Sequence, residues 1–378
     1  MNSSNITEVT SDNHSADVSC DLINRRTAVI GGVIACAFIF ITSLLGNTLV
    51  VIVVYRERRM RTIVNFLIVN MAVSDFLCTV SVIPRVLAQT FTYPQAWLTT
   101  ETVGDALCKV VYFVQDVTVA VSLLSLLIIA IERYYATSRP IIADPTQRNR
   151  CKAMIVSTWL MACIIYATHF YTFKLIIEDE GAICVHTWEP LLKDTEKASK
   201  IEFLLHTVLF VFIPFVVVTT LYATILLRIR RTSVPEDASA MAERRRKKRN
   251  RNVLRMLLAV VIAFGSCWFP FIIYTYVVTY VWHGKHIDPP CELEFFGECT
   301  LYLTYLNSSI NPTIYFVFSV NYRKGLNRLI WPCLSPFSNI STKQTSKQVD
   351  TPHTKRTPRG GVGVVQAHDI ELRAISKR

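Results

Sequence analysis

Seven long apolar runs constrain the fold of this chain more than any other feature of its sequence. The runs lie at about residues 28–55, 63–91, 106–131, 153–177, 201–227, 253–282 and 299–320. Each has roughly 20 residues or more, enough for a helix to cross about 30 Å of hydrocarbon. Only 18% of the residues are charged, against about 25% in soluble domains. The buried helices of a large soluble protein would need polar faces at the helical period, and most runs have none. The sequence therefore predicts an all-α membrane protein, with a bundle of seven transmembrane helices over residues 28–320.

The charges between the runs predict how the chain crosses the membrane. Basic residues cluster after the first run in YRERRMRT, between Arg139 and Lys152, and before the sixth run in RRRKKRNR. The alternate connections carry the acidic residues Glu101, Asp105, Glu178, Asp179, Glu180, Glu292, Glu294 and Glu298. Because cytoplasmic loops retain positive charge, we expect the N-terminus outside and the C-terminus inside a multi-pass protein of the plasma membrane. The net charge of +12 then reflects loops near anionic lipid and does not require a nucleic acid partner.

The two ends of the chain carry signals that fit this orientation. Residues 1–27 are predicted to form an extracellular tail, with glycan acceptors at Asn2, Asn5 and Asn13 in NSS, NIT and NHS. The first run is expected to act as the uncleaved insertion signal. After the seventh run, NYRKGLNRLIW predicts an amphipathic helix at 321–332 that lies on the membrane surface. Cys333 follows as a candidate palmitoylation site, and the polar segment 333–378 is predicted to be disordered and phosphorylatable.

Polar residues inside the runs are the first candidates for a functional site. An ionisable side chain in hydrocarbon is costly, so Asp75 in the second run is expected to face a polar bundle centre. Polar side chains at a similar depth on other runs are Asn47, Ser122, Asn307 and Asn311. Together they predict a pocket in which one carboxylate binds a small cation. Structural hydrogen bonding without an ion is the alternative.

Six short motifs occur in order along the chain, five of them within separate runs and ERY directly after the third run. They are GN at 46–47, SD at 74–75, ERY at 132–134, Trp159, CWFP at 267–270 and NPTIY at 311–315. From about residue 28 to 332 the chain resembles the rhodopsin-like family of G-protein-coupled receptors. The resemblance implies a heterotrimeric G protein as partner, with arrestin and a receptor kinase acting on the cytoplasmic tail. It also implies that the cation beside Asp75 is an allosteric sodium ion; no other cofactor is expected.

The resemblance assigns roles in activation and coupling to a further set of residues in the bundle. They are Glu132, Arg133, Tyr134, Tyr222, Trp268, Pro270, Asn311, Pro312 and Tyr315. Pro270 and Pro312 each remove a backbone hydrogen bond and kink their helix. A ligand that presses on Trp268, beside the first kink, can therefore bias a hinge whose far end moves at the cytoplasm.

The cysteines divide by compartment. The resemblance implies a disulfide between Cys108 and Cys184, which would hold the second outer loop over the bundle. Cys291 and Cys299 either pair with each other or leave one of them to pair with Cys20, and both options stay open.

The ligand class is predicted from residues near the outer mouth of the bundle. The candidate ligand-binding residues are Arg85, Gln115, Asp116, His206, Trp268, Phe271, Tyr302 and Tyr305. Amine receptors of the family carry an aspartate where this chain has Gln115, and Asp116 is turned by roughly 100° from that position. Glutamine at this position is frequent in receptors for neuropeptide Y, RFamide and similar peptides. We therefore expect a short cationic neuropeptide, attracted by the acidic outer surface. Arg85 is expected either to pair with Asp116 or to hold a peptide carboxylate.

Other function classes fit the sequence less well. A receptor for an amine or another small molecule is the alternative within the family. A transporter is expected to show internal repeats with matching interrupted helices, and the sequence shows none. A membrane protease needs paired aspartates or HExxH within its spans, and neither occurs, so no enzymatic activity is expected.

Overall fold

The computed structural model describes residues 11–92, 96–97, 99–138, 147–178, 181–231, 240–282 and 290–338. The chain divides into two units, Met1–Ile330 and Trp331–Arg378. The bundle and its sites belong to the first unit. Of the second unit, the structure describes only a helical segment, 331–338. Asn2, Asn5 and the predicted tail from residue 339 onward lie outside the described residues.

Helices dominate the described part of the chain. They are α1 Ser11–Arg56, α2 Ile63–Phe91, α3 Glu101–Ser138, α4 Gln147–Tyr166, α5 His169–Thr172, α6 Thr195–Thr207, α7 Ile213–Arg231, α8 Ala240–Tyr276, α9 Cys291–Phe318 and α10 Val320–Ser338. A π-helical segment, Val208–Phe212, joins α6 to α7, and a second, Val277–Trp282, continues α8. A 3₁₀ turn, Arg58–Met60, separates α1 from α2.

Six stretches of helix in the described residues are long and apolar enough to span a membrane. They are Val29–Arg56, Ile63–Phe91, Glu101–Ala136, Arg148–Thr172, Thr195–Arg228 and Arg251–Val281. The seventh predicted run lies within α9, which is more polar because it carries Asn307, Ser308, Ser309 and Asn311. These four side chains are buried inside the bundle. Burial in the protein, away from lipid, explains how α9 tolerates them.

Both ends of the bundle extend beyond the predicted runs. Helix α1 begins at Ser11, so Asn13 and the second half of the predicted N-terminal tail are helical. Helix α9 begins at Cys291 and includes Glu292, Glu294 and Glu298, which were expected in a loop. Helix α10 continues to Ser338, past the predicted end at 332 and through Cys333.

The predicted fourth span, 153–177, is wrong at its C-terminal end. Helix α4 ends at Tyr166, and after the single turn of α5 the chain forms strand β2, Phe173–Glu178. This strand pairs with β3, Gly181–His186, in an antiparallel hairpin, and β1, Ala96–Trp97, joins the other edge of β3. The segment FKLIIE is apolar and rich in β-branched residues, so it suits a strand as well as a helix, and an apolar run alone does not distinguish them.

One disulfide attaches this hairpin to the bundle. Cys184 on β3 is bonded to Cys108 near the start of α3, with the two Cα atoms 5.8 Å apart, which confirms the predicted pair. We call this the hairpin end of the bundle. Arg133 lies 25 residues further along α3, about 37 Å away at 1.5 Å per residue. The opposite end, which carries Glu132, Arg133 and Tyr134, is called the ERY end.

The structure excludes one of the two predicted pairings of Cys291 and Cys299. Cys291 and Cys299 are eight residues apart on α9, a rise of about 12 Å. A disulfide requires Cα atoms about 4.4–6.8 Å apart, so a continuous helix cannot join these two residues. Cys299 is an exposed free thiol. The side chains of Cys20 and Cys291 lie outside the described part.

The helices pack in a ring with α3 near its centre. Helix α1 contacts α2 and α9, α8 contacts α7 and α9, and α3 contacts α2, α4 and α7. Close approach of α1 to α9 depends on Gly46, because a Cβ there would lie 2.8 Å from Cβ of Pro312. The first and last motifs of the chain, GN and NPTIY, therefore meet across this contact.

Candidate functional site

A cavity of about 130 Å³ lies between α2, α3, α8 and α9. Its lining residues are Asp75, Cys78, Gln115, Asp116, Val119, Ser122, Phe264, Trp268, Phe271, Leu301, Thr304, Tyr305, Asn307 and Ser308. Gln115 lies seven residues below the disulfide-bonded Cys108, about 10 Å along α3. We call this cavity the first lobe. It joins the predicted ligand residues Gln115 and Asp116 to the predicted ion-binding residue Asp75 in one continuous space.

A second cavity of about 230 Å³ lies on the other side of Asp116. Its lining comes from α3, α4, the α6–α7 helix and α8: Asp116, Val119, Ala120, Leu123, Tyr166, Phe203, His206, Thr207, Phe210, Val211, Phe264, Trp268, Phe271 and Ile272. We call it the second lobe. Both lobes share Asp116, Val119, Phe264, Trp268 and Phe271. The second lobe is mainly aliphatic and aromatic, a lining that suits an apolar side chain of a ligand.

Asp116 at the junction of the lobes is held by a histidine. Its Oδ2 lies 2.7 Å from Nε2 of His169, the first residue of α5. The His169 side chain is 4% exposed, whereas that of Asp116 is 33% exposed. The histidine ring packs edge-on against Tyr166, with ring centroids 5.2 Å apart. The carboxylate is therefore fixed from behind while it still faces the cavities.

Arg85 on α2 makes hydrogen bonds to four neutral acceptors. Its Nη1 donates to Gln89 Oε1 at 3.1 Å and to the Tyr112 hydroxyl at 3.0 Å. Its Nη2 donates to Gln115 Oε1 at 2.7 Å and to the Tyr305 hydroxyl at 3.4 Å. The guanidinium also stacks over the Tyr112 ring, 4.4 Å from the centroid. The ion pair with Asp116, one of the two predicted arrangements of Arg85, is not formed, since Asp116 pairs with His169.

The predicted ligand residues divide into three groups. Gln115, Asp116, Trp268, Phe271 and Tyr305 line the first lobe, and His206 lines the second. Arg85 reaches the first lobe through Gln115 and Tyr305. Tyr302 lines neither lobe: its hydroxyl lies 3.3 Å from Thr90 Oγ1, and its ring packs in the apolar cluster between α1, α2 and α9. Tyr305, three residues further along α9, packs in the same cluster but also lines the first lobe.

The polar bundle centre is built around Asp75. Ser122 Oγ donates to Asp75 Oδ1 at 3.2 Å, and Asn311 Nδ2 donates to Oδ2 at 2.9 Å. Asn307 lines the same lobe as Asp75. Asn47 does not contact the carboxylate: its Nδ2 donates to Ser43 and to the Ser308 carbonyl at 3.0 Å. Hydrogen bonds to Asp75 thus join α2, α3 and α9, whereas Asn47 bonds to the α9 backbone and not to the carboxylate.

At the ERY end, aromatic side chains connect the last turns of several helices. The Tyr134 hydroxyl accepts from Arg228 Nη2 at 3.1 Å, with the guanidinium 4.8 Å from the Tyr134 ring centroid. Tyr222 and Tyr315 are both buried, and Tyr315 stacks on Tyr322 of α10 with centroids 5.8 Å apart. Pro270 and Pro312 lie inside α8 and α9. The water-mediated contact predicted between Tyr222 and Tyr315 stays a prediction.

Two residues of the site were not singled out from the sequence, His169 and Tyr112. His169 is an ionisable residue within the predicted fourth span, and that property alone is a signal of function in a membrane segment. Tyr112 lies one turn before Gln115 and Asp116 on α3. Its role is visible only from the position of Arg85 on another helix.

A seven-helix bundle with a cavity below a disulfide-tethered hairpin, and with the ERY and NPTIY motifs at its other end, defines a G-protein-coupled receptor. The family described as 7 transmembrane receptor (rhodopsin family) matches residues 46–315. The chain belongs to this family. It is a multi-pass protein of the plasma membrane, from a family of signalling receptors and not of enzymes.

The relatives of this chain include several receptors named for peptides. It is 30% identical over 327 residues to a QRFP-like peptide receptor of Branchiostoma floridae, covering 85% of this chain and 80% of that protein. It is 28% identical to somatostatin receptor type 2 of Mus musculus, covering 84% and 83%. It is also 28% identical to neuropeptide Y receptor type 6 of Mus musculus, covering 81% and 82%.

Proposed function

We propose that this receptor binds a short peptide with a cationic group and then activates a heterotrimeric G protein. The observation that carries the proposal is the two-lobed cavity, because both lobes meet at Asp116 and Trp268. The names of the relatives, QRFP-like peptide, somatostatin and neuropeptide Y receptors, support a peptide ligand. A receptor for an amine is the alternative within the family.

The hairpin end is the extracellular end in this proposal. The disulfide between Cys108 and Cys184 suits an oxidising compartment, and the acidic connections lie on this side of the predicted topology. The basic connections support a cytoplasmic position for the ERY end. The peptide therefore enters beside the hairpin, and the G protein binds at the opposite end.

The two lobes suggest how such a peptide is held. Its cationic group binds the Asp116 carboxylate, which is one-third exposed and already oriented by His169. A charge-assisted hydrogen bond in a site of low dielectric is stronger than one in water. An aromatic side chain of the peptide fills the second lobe against Phe210 and Phe271. Acidic residues around the mouth raise the encounter rate of cationic ligands.

Trp268 couples ligand binding to the helix that moves. It lines both lobes, stacks on Phe264 with centroids 5.7 Å apart, and lies two residues before Pro270. A ligand that displaces this ring acts on α8 at its kink, where a small shift is amplified toward the cytoplasmic end. Arg133 and Tyr134 are the residues that we assign to contact with the G protein at that end, with Glu132 beside them.

A sodium ion beside Asp75 is the second element of the proposal. Asn307 Oδ1 and Asn311 Oδ1 are buried and accept no hydrogen bond within the described residues. Among the described residues, the Asp75 carboxylate accepts only from the neutral side chains of Ser122 and Asn311. Hard cations bind carboxylate, carbonyl and hydroxyl oxygens, so this set of oxygens fits a small cation. Such an ion would neutralise the negative charge of the Asp75 carboxylate. Asn47 would hold the α9 backbone at Ser308, close to the ion.

The remaining assignments concern the cytoplasmic surface and the tails. We propose that α10 lies on the membrane surface and that Cys333 carries a palmitoyl group, which adds a second anchor. The polar segment after α10 is proposed to dock arrestin once a receptor kinase has phosphorylated it. Asn2, Asn5 and Asn13 are the proposed glycan acceptors.

The experiment that tests the function is a screen of transfected cells. Cells that express the receptor at a measured surface level are exposed to a peptide library and, separately, to an amine library. We expect G-protein signalling with cationic peptides and none with amines. A response to amines alone would transfer the assignment to the small-molecule class.

A further inference from the structure

The hydrogen-bond donors around Arg85 point to a carboxylate on the ligand. We infer that Gln115 and Tyr305, with the Arg85 guanidinium directly behind them, form a carboxylate-binding subsite in the first lobe, separate from the cation acceptor Asp116. This inference rests on the proposed peptide function and adds a chemical requirement to it. The ligand would carry an acidic group, either a free C-terminus or an acidic side chain, as well as its cationic group.

The positive charge of Arg85 has no carboxylate partner among the described residues. The guanidinium is always protonated. Its four partners are all neutral oxygens, and its Nε is buried with no acceptor among the described residues. A buried charge without a counter-charge is costly.

Arg85 fixes the orientation of the Gln115 amide and the Tyr305 hydroxyl. A guanidinium has only donors, so the Gln115 atom 2.7 Å away must be the amide oxygen. The NH2 group of the Gln115 amide then has two N–H donors free to bind a ligand, and the Gln115 side chain lines the first lobe. This NH2 group makes no hydrogen bond within the described residues. Tyr305 accepts from Arg85 in the same way, so its own proton is left to donate into the lobe.

The Gln115 and Tyr305 donors share one cavity and one neighbouring positive charge. Donors without acceptors select a ligand oxygen, and the positive charge behind them favours an anionic one. A carboxylate has two acceptor oxygens and one negative charge. The Asp116 carboxylate cannot fill this role because His169 holds it on the other side of the junction.

The test uses the full-length receptor purified in detergent and three small probes. N-acetylphenylalanine carries a terminal carboxylate, N-acetylphenylalaninamide is its neutral counterpart, and N-acetylaspartylphenylalaninamide carries a side-chain carboxylate. Thermal stabilisation gives an apparent affinity for each probe. We expect at least one carboxylate probe to bind about tenfold more tightly than the neutral amide, the effect of a hydrogen bond to a charged group. The carboxylate probe with the higher affinity shows whether the subsite prefers a terminal or a side-chain carboxylate.

Variants separate the subsite from general packing effects. In Arg85→Gln the acid-to-amide ratio should fall to near one, and in Arg85→Lys it should be only partly retained, because lysine keeps the charge without the planar fork. Lys109→Gln is the matched control: it removes a positive charge of α3 that pairs with Asp105 and lines neither lobe, so the ratio should persist. If Arg85→Gln does not fold, the wild-type ratio and Arg85→Lys still decide.

Three results would overturn the inference: equal affinity of wild-type receptor for the acidic and neutral probes, no binding of any probe, or an unchanged ratio in Arg85→Gln. Failure here is distinct from failure of the proposed function. A receptor that signals in response to peptides but does not discriminate acid from amide refutes the subsite alone. A receptor that responds to no peptide refutes the proposed function, whatever the probes do.

Discussion

The imidazole of His169 lies 2.7 Å from the carboxylate of Asp116, at the point where the two lobes meet. His169 is the first residue of the short helix α5, directly before the hairpin, and Asp116 lies in the middle of α3. The pair therefore connects the segment that precedes the hairpin to the junction of the two lobes. A ligand cation that binds Asp116 meets a carboxylate whose position is already fixed. The entropic cost of ordering this side chain on binding is therefore lower.

The first prediction concerns the carboxylate itself. Asp116→Asn should reduce the potency of a cationic peptide agonist at least about tenfold, because an amide replaces a charge-assisted acceptor. Concentration–response curves for the agonist found in the peptide screen measure the effect. The control is an analogue with its cationic group neutralised, which should lose little potency in the variant. Equal losses for both analogues would show that Asp116 acts through structure and not through charge.

The second prediction separates His169 from Asp116. His169→Phe keeps an aromatic ring against Tyr166 but removes the hydrogen bond. We expect a smaller potency loss than for Asp116→Asn, and rescue in part by His169→Gln, which restores a donor. In a double-mutant cycle, His169→Phe should add little to Asp116→Asn, since residues in direct contact are coupled. Additive losses would contradict a positioning role.

The sequence predicts the bundle well because length and hydropathy decide whether a helix spans the membrane. It also places Asp75, Ser122 and Asn311 at one depth, and the structure joins them by hydrogen bonds. The end of the fourth span was wrong because an apolar run suits both a helix and a strand. The hairpin that ends the span is stabilised by pairing with a distant segment, Ala96–Trp97, and no local pattern reveals that pairing.

Contacts between helices were harder to predict than the helices. The pairing of Asp116 with His169 in place of Arg85 depends on how α2, α3 and α5 are rotated about their axes. Tyr302 and Tyr305 lie on neighbouring positions of α9, yet only Tyr305 lines the first lobe while Tyr302 contacts Thr90. Helix rotation is set by packing with all neighbours at once, and a single sequence does not contain it in readable form.

The third prediction tests a close contact between α1 and α10. A Cβ on Gly325 would lie 2.5 Å from Cγ1 of Val53. Gly325→Ala should therefore destabilise the receptor by about 1–3 kcal/mol, the usual range for overpacking, and lower its thermal transition in detergent. Val53→Ala in the same chain should recover most of the loss by removing the clashing methyl groups. Asn327→Ala, at an exposed position of the same helix, is the matched control and should leave the transition unchanged.

The fourth prediction concerns coupling at the ERY end. Arg133→Ala should reduce agonist-stimulated nucleotide exchange about tenfold or more while agonist binding stays measurable, because Arg133 lies far from the ligand cavity along α3. Purified G protein and receptor in lipid nanodiscs give the exchange rate without interference from trafficking. Lys152→Ala, an exposed basic residue on α4, serves as a control for general loss of positive charge. Full exchange in Arg133→Ala at matched receptor concentration would remove Arg133 from the coupling surface.

The fifth prediction concerns the ion beside Asp75. In wild-type receptor, sodium should lower agonist affinity relative to an impermeant organic cation at equal ionic strength, because the ion favours the inactive arrangement of α2, α3 and α9. Asp75→Asn should abolish this sensitivity, since an amide does not hold a cation as a carboxylate does. Asn47→Ala provides a sharp contrast: Asn47 bonds to the Ser308 carbonyl and not to Asp75, so this variant should lose stability but keep the sodium effect. Agonist competition binding across a sodium titration measures both. A sodium effect that survives in Asp75→Asn places the ion elsewhere, and one that disappears in Asn47→Ala at full expression makes Asn47 a direct part of the site.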